Sequence, residues 1–239
     1  AIATALLGPW AAIVAMTCVV GTQAILFQDG GLLALGANLV NMAVIGVVVA
    51  HGVLTLVRRL LGVQRFGQLV SGFLAGWCSI LVTSLACALQ LALSGTSPAN
   101  LAIPAMGGIH ALIGIGEGLI TAAALGLVYA ARGDLLAKGG IGTGGRGLAL
   151  GGLVTAVLLA VLSPMASANP DGLEWVAEQQ GFLGRALEAP FRLIGDYVFP
   201  GIANEALATI LAGTVGVAVV LAVTWLASSA RRRESGHRT

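Results

Sequence analysis

Two ionisable side chains, His110 and Glu117, interrupt one of the most apolar parts of this chain. They stand seven residues apart, so on a helix they share a face, which Gly114 and Thr121 extend. Imidazole and carboxylate are the side chains that carry protons or hold metal ions. Their axial separation of ~10 Å prevents both from ligating one ion directly. Two readings stay open for the pair: a functional site, the default for ionisable groups inside a bilayer, or interhelical hydrogen bonds with Glu117 protonated or paired.

A second polar set is Asp29, Asn38 and Asn41. The run Gly36-Ala-Asn38-Leu-Val-Asn41-Met follows Asp29-Gly-Gly31, and the two asparagines share a face. Carboxamides and a carboxylate at a helix mouth could line the way in for an ion or solute; a turn with satisfied caps explains them equally well. A third set lies far along the chain, at Asn169-Pro-Asp171. Here an N-cap at Asn169, Pro170 at the first helical position and an acidic first turn predict a short helix. Leu173, Val176 and Ala177 would form its apolar face, and Gly181 would end it. Ser79, Thr83 and Cys87 recur every four residues near Gln90 and read as polar glue between helices. Cys18, Cys78 and Cys87 all lie in apolar segments and read as small buried residues.

These groups need elements to hold them, and the composition names the kind. Of 239 residues, 57% are hydrophobic, 35 more are glycine, and only 9% are charged. A soluble domain carries about 25% charged residues. High hydrophobicity with a net charge of +2 excludes disorder as well. The fold class is all-α, a polytopic membrane protein of about six apolar helices. The segments are 1–27, 32–57, 69–93, 101–131, 147–165 and 201–228. A bilayer crossing takes ~20 apolar residues. Pro9 leaves 10–27 as the spanning part of the first segment, with 1–8 resembling the tail of an earlier span.

Ten of the twelve basic residues fall in alternate loops, after the second, fourth and sixth segments. The positive-inside rule makes those loops cytoplasmic. The 94–100 turn and the 166–200 loop then face outward, and the arginine-rich tail ends inside, against lipid headgroups. The stretch Gly133–Gly147 reads as a flexible glycine-rich seam between two modules. The expected division is 1–132, the linker 133–147, a second module 148–228 and a basic cytoplasmic tail 229–239. Gly72 with Gly76 and Gly114 with Gly118 each form G-x-x-x-G, a spacing that lets helix backbones approach closely. No zinc-protease, P-loop or nucleophile-elbow motif is present, which argues against an enzyme and against ATP binding by this chain itself. Nucleic acid is not an expected partner.

Several ordered motifs resemble one family. Leu7-Gly-Pro-Trp10, Phe27-Gln-Asp-Gly-Gly31, the run Leu35-Gly-Ala-Asn38-Leu-Val-Asn41-Met-Ala-Val-Ile-Gly46 and Gly108-Ile-His110-Ala-Leu-Ile-Gly-Ile-Gly-Glu117-Gly118 are similar to the M subunit of cobalt and nickel energy-coupling-factor transporters. The stretch Asn169-Pro170-Asp171-Gly172-Leu173-Glu174-Trp-Val-Ala-Glu178 resembles the PDGLE-type N subunit. The resemblance implies an M–N fusion: four-plus helices of M, then two of N with an extracytoplasmic loop. It also implies a substrate-binding component that captures Co(II) or Ni(II) outside, with no permanent cofactor. Its partners would be a transmembrane T subunit and ATP-binding subunits, and its cargo would serve cobalamin synthesis or nickel enzymes. The accessory loop, with Pro170, Asp171, Gly172, Leu173 and Glu174, would assist metal loading. In that family the principal ligands are a Met-His start and a further histidine. Both are expected upstream of Ala1, in a chain truncated at its N-terminus. Their nitrogen-rich, near-square-planar geometry suits Ni(II) or Cu(II). His110, Asn38, Asn41, Glu117 and Asp29 are then candidates for the ion's route or for support of its ligands.

Two other classes compete with this one. An intramembrane enzyme would need His110 and Glu117 to cooperate across ~10 Å, with no nucleophile beside them. A vitamin-type S component or a non-catalytic membrane partner would need an aromatic-lined pocket, and only 5% of the residues are aromatic.

Overall fold

The computed structural model describes residues 1–137, 146–166, 169–185, 191 and 193–236, and every regular element among them is helical. In chain order these are α1 (Ile2–Thr22), α2 (Leu35–Asn38), α3 (Gly46–Leu61), α4 (Arg65–Leu93), α5 (Ala99–Ala137), α6 (Arg146–Leu162), α7 (Gly172–Gln179) and α8 (Glu205–Gly236). A π-helical turn, Gln23–Phe27, extends α1, and a second, Leu39–Ile45, welds α2 to α3.

The protein is an all-α polytopic membrane protein. Among the described residues, five helical stretches are long and apolar enough to span a bilayer: Ile2–Phe27, Leu35–Leu61, Arg65–Leu93, Ala99–Ala131 and Glu205–Leu226. The sixth apolar segment is the shorter Leu150–Met165. Large apolar side chains such as Leu112, Leu119 and Ile120 stand exposed on helical surfaces. In water that would be costly; against lipid it costs nothing.

Local chemistry explains the irregularities. Gly8 has φ 76° and ψ 170°, and Pro9 behind it donates no N–H, so α1 is two helical pieces joined at a kink. α5 continues past the expected end at 131 to Ala137, and α6 begins at Arg146. The rest of the expected linker, Lys138 included, lies outside the described residues, as do His237 and Arg238. The short helix of the 166–200 loop begins later than the sequence suggests. Its N-cap is Asp171, in extended conformation, not Asn169. The Asp171 carboxylate accepts the Glu174 N–H at 2.8 Å and the Glu174 carboxylate accepts the Asp171 N–H at 3.2 Å. This reciprocal box satisfies two donors at once, which an Asn169 cap with proline next to it would not.

The chain divides into two compact units. One comprises Ala1–Ile13, Ala37–Thr143 and Asn169–Leu187; the other comprises Val14–Gly36, Gly144–Ala168 and Glu188–Thr239. The first is built on the α4–α5 pair. Its two G-x-x-x-G motifs meet on one seam: a Cβ at Gly76 would lie 3.1 Å from Gly118 Cα, and one at Gly118 would lie 2.8 Å from the Phe73 carbonyl oxygen. At both positions glycine is what lets the backbones touch. Ala5, Ala50, Leu54, Ala75 and Leu125 form one buried cluster here, and Ala88, Ala102, Met106, Val176, Ala177 and Phe182 form another. In the second unit α6 packs on α8. There Phe27, Ile194 and Ala212 are buried together, with Tyr197 against them.

Candidate functional site

α5 carries His110 and Glu117 on its length, as the spacing requires, and the two fare differently. His110 is half-buried, and its Nδ1 lies 2.8 Å from the Met106 carbonyl oxygen, one turn back. A carbonyl only accepts, so Nδ1 is the protonated nitrogen and donates to it. The Nε2 edge therefore faces away from α5. It meets Gly172: a Cβ on that glycine would lie 2.6 Å from both Cε1 and Nε2 of His110. Glu117 is exposed on the surface of its unit, while its backbone carbonyl lies against Gly76 in the seam.

The Gly172 contact is one of three that seat α7 within the first unit. Val176 and Ala177 bury themselves among Ala88, Ala102 and Met106. At the far end Gln180 accepts a hydrogen bond from the Ser97 hydroxyl at 2.6 Å and donates to the Leu101 carbonyl at 3.1 Å. The apolar face expected of this helix is therefore real for Val176 and Ala177, while Leu173 remains partly exposed. Pro170, Asp171 and Glu174, at the capped turn, are also exposed.

Asn41 is buried and pairs with Gln90 of α4 through two reciprocal amide hydrogen bonds, each 2.9 Å. It lies in the π-helical turn, where the Gly46 N–H reaches back five residues to the Asn41 carbonyl. Such turns take up one extra residue and recur at functional sites. Asn38 precedes the turn and is half-buried. The polar stripe of α4 corrects the expectation of interhelical glue. Ser79 donates to the Gly76 carbonyl and Thr83 to the Ser79 carbonyl, both within their own helix. Short hydroxyls reach their own helix more easily than a neighbour's. Among these residues the longer Gln90 is the one shown bonding to another helix.

In the second unit, Asp29 is exposed and accepts a hydrogen bond from the Tyr197 hydroxyl at 2.7 Å. Tyr197 stacks on Phe27 with ring centroids 4.3 Å apart and planes 18° from parallel. The Ile194 N–H donates to the Leu26 carbonyl at 3.1 Å, and the Gln28 side-chain amide donates to the Phe191 carbonyl. Three non-glycine residues with positive φ, Gln28, Asp196 and Tyr197, gather at this one place. Burial pushes the Tyr197 hydroxyl well above the usual phenol range, and the carboxylate of Asp29 adds to the shift. Sequence reasoning missed Tyr197 and Gln180, since each finds its partner across a long stretch of chain. The only local signals were an aromatic and an amide in a polar loop.

Among the described residues, no group of three His, Cys, Asp or Glu side chains comes close enough to hold a metal ion. The arrangement is one of paired amides, one hydrogen-bonded imidazole and a docked helix.

Comparison with known proteins bears on the whole chain. The family described as "Cobalt uptake substrate-specific transmembrane region" matches residues 1–135, and the PDGLE domain matches residues 146–233. A relative from Archaeoglobus fulgidus that carries a fused nickel-transport name is 34% identical over 231 residues, spanning 93% of this chain and 73% of its own length. The fused nickel transport protein of Rhodobacter capsulatus is 30% identical over 269 residues, 96% of this chain and 77% of that protein. A cobalt transport protein of Geobacter sulfurreducens is 33% identical over 170 residues, 70% of this chain and 49% of its own length. No solved structure matches the chain.

Proposed function

We propose, for a chain that belongs to the cobalt-uptake substrate-specific transmembrane family and carries a PDGLE domain behind that region, that it is the substrate-binding component of an ATP-driven importer of cobalt or nickel ions. Membership places it among cobalt and nickel transport components, in the membrane, and its relatives are transport proteins rather than enzymes. The observation that carries the finer reading is the tandem order of the two family regions, matched along nearly the whole chain by fused nickel transport proteins.

In this reading Co(II) or Ni(II) is the cargo. A transmembrane T subunit couples this chain to ATP-binding subunits, which supply the hydrolysis. Residues 1–132 form the M-type part, 148–228 the N-type part and 229–239 a cytoplasmic tail. The loop 166–200 stands on the outer side, where the ion is captured. The charge distribution supports this sidedness, since basic residues collect in alternate loops. Asp29, Asn38, Asn41, His110 and Glu117 line or support the ion's route. The loop residues Pro170, Asp171, Gly172, Leu173 and Glu174 assist loading; the seating of α7 on α5 supports that role.

The test is uptake of radioactive nickel or cobalt in cells that express the protein with its transmembrane and ATP-binding partners. Uptake should vanish when the ATPase subunits are made inactive. Uptake that persists in that complex would sink the proposal. Glu117→Gln should lower uptake if an ionised carboxylate is used on the route; unchanged uptake leaves Glu117 a hydrogen-bonding role only.

A further inference from the structure

We infer that His110 is the seat of the PDGLE helix, and that Gly172 is glycine because α7 closes on the His110 imidazole. A Cβ at residue 172 would stand 2.6 Å from two ring atoms of His110 and 3.0 Å from Ile113 Cδ1. No carbon approaches another heavy atom so closely without displacement, so any larger residue must push the ring or lift the helix. The ring is not free to yield, because its Nδ1–H is committed to the Met106 carbonyl. The helix is not free to slide, because Gln180 holds its other end to Ser97 and Leu101.

Gly172 is also buried, at the first helical position behind the Asp171 cap. It is absent from the positive-φ glycines, so its backbone would accept alanine; the neighbour alone forbids it. This separates the inference from an ordinary helix-propensity effect. In a helix with nothing above residue 172, Gly→Ala strengthens the helix. On a His110 seat the same change weakens the docked helix. The two explanations predict opposite signs.

The loading role of α7 rests on the transport reading above. The seat itself does not. His110 is then a positioning residue, through which the second family region bears on the first.

Hydrogen exchange followed by mass spectrometry on the purified full chain tests it. In Gly172→Ala, protection of the α7 amides should fall about tenfold, in the range that overpacking by one methyl produces. Combining it with His110→Ala removes the obstructing ring at the cost of the seat's own packing, and should recover part of the protection lost in Gly172→Ala, as expected for coupled neighbours. Rescue by the second change also covers the case in which Gly172→Ala alone unfolds the chain. Protection unchanged or raised in Gly172→Ala would overturn the inference, and so would a double variant no better than the single one. Nickel uptake by Gly172→Ala, measured beside this, should fall with protection. If the parent shows no ATP-dependent uptake, the transport reading fails while the exchange result still decides the seat.

Discussion

The α4–α5 seam and the Phe27–Tyr197 locus hold their units together by opposite means. In the seam, backbones touch at Gly76 and Gly118, and the hydroxyls of Ser79 and Thr83 turn back onto their own helix. Shape does the holding. At Phe27–Tyr197, a phenol, a carboxylate, a side-chain amide and a stacked pair hold a backbone that three residues cross at positive φ. There, polar bonds and an aromatic stack hold a conformation that costs of order 1–3 kcal/mol per strained residue. The two regions should therefore fail under different insults: the seam to added volume, the locus to lost polar partners and to pH.

Added volume gives the largest expected effect. Gly118→Ala puts a Cβ 2.8 Å from a backbone oxygen, which cannot swing aside as a side chain would. A loss of about 1–3 kcal/mol is expected from overpacking, read as a lower unfolding midpoint in detergent. A variant as stable as the parent would mean that the seam is not closely packed.

Next comes the Asn41–Gln90 pair, which sits between the two regimes as a polar bond inside a shape-held unit. Asn41→Leu leaves the Gln90 amide without its partner, at a cost of about 1–2 kcal/mol. Adding Gln90→Leu should recover most of that loss, because no amide is then stranded. Additive losses in the double variant would show that the amides contribute independently of each other.

The smallest effect belongs to Tyr197. Tyr197→Phe keeps the stack on Phe27 and removes the bond to Asp29, a loss of about 0.5–1.5 kcal/mol at most for a partly exposed bond. The pH arm gives the sign. The folded-state pKa of Tyr197 is raised, so its contribution is fully present below the ordinary phenol range and is lost as pH rises through the higher folded value. Parent and Tyr197→Phe stability curves should converge at strongly alkaline pH. A constant gap between them would remove the hydroxyl from the account.

Much of the helical layout was legible because apolar runs and charged loops are local signals. So was the seam, since glycines four apart declare a close approach wherever the partner helix lies. The short helix α7 was legible in kind, and only its cap was misplaced. Asp171 and Glu174 form a reciprocal box that outcompetes the Asn169-Pro170 start. What could not be read shares one property. Asp29 meets Tyr197 across 168 positions, Ser97 meets Gln180 across 83, and Asn41 meets Gln90 across 49. An isolated side chain carries no mark of a partner that far along the chain. His110 shows the same limit: its type and its place in an apolar helix were plain, but nothing beside it announced Gly172.

The π-helical turn at Leu39–Ile45 has a bearing on how this helix is to be compared and engineered. It stores one surplus residue in the span from Leu35 to Leu61. Each residue turns a helix by about 100°, so the surplus unscrews everything before the turn from everything after it. A wheel drawn straight through the segment puts Asn38 on the wrong azimuth relative to Leu54. Deleting a single residue between 39 and 45 is the edit that would straighten this helix, and it would rotate the Asn38 end while leaving the α3 face against α4 where it is.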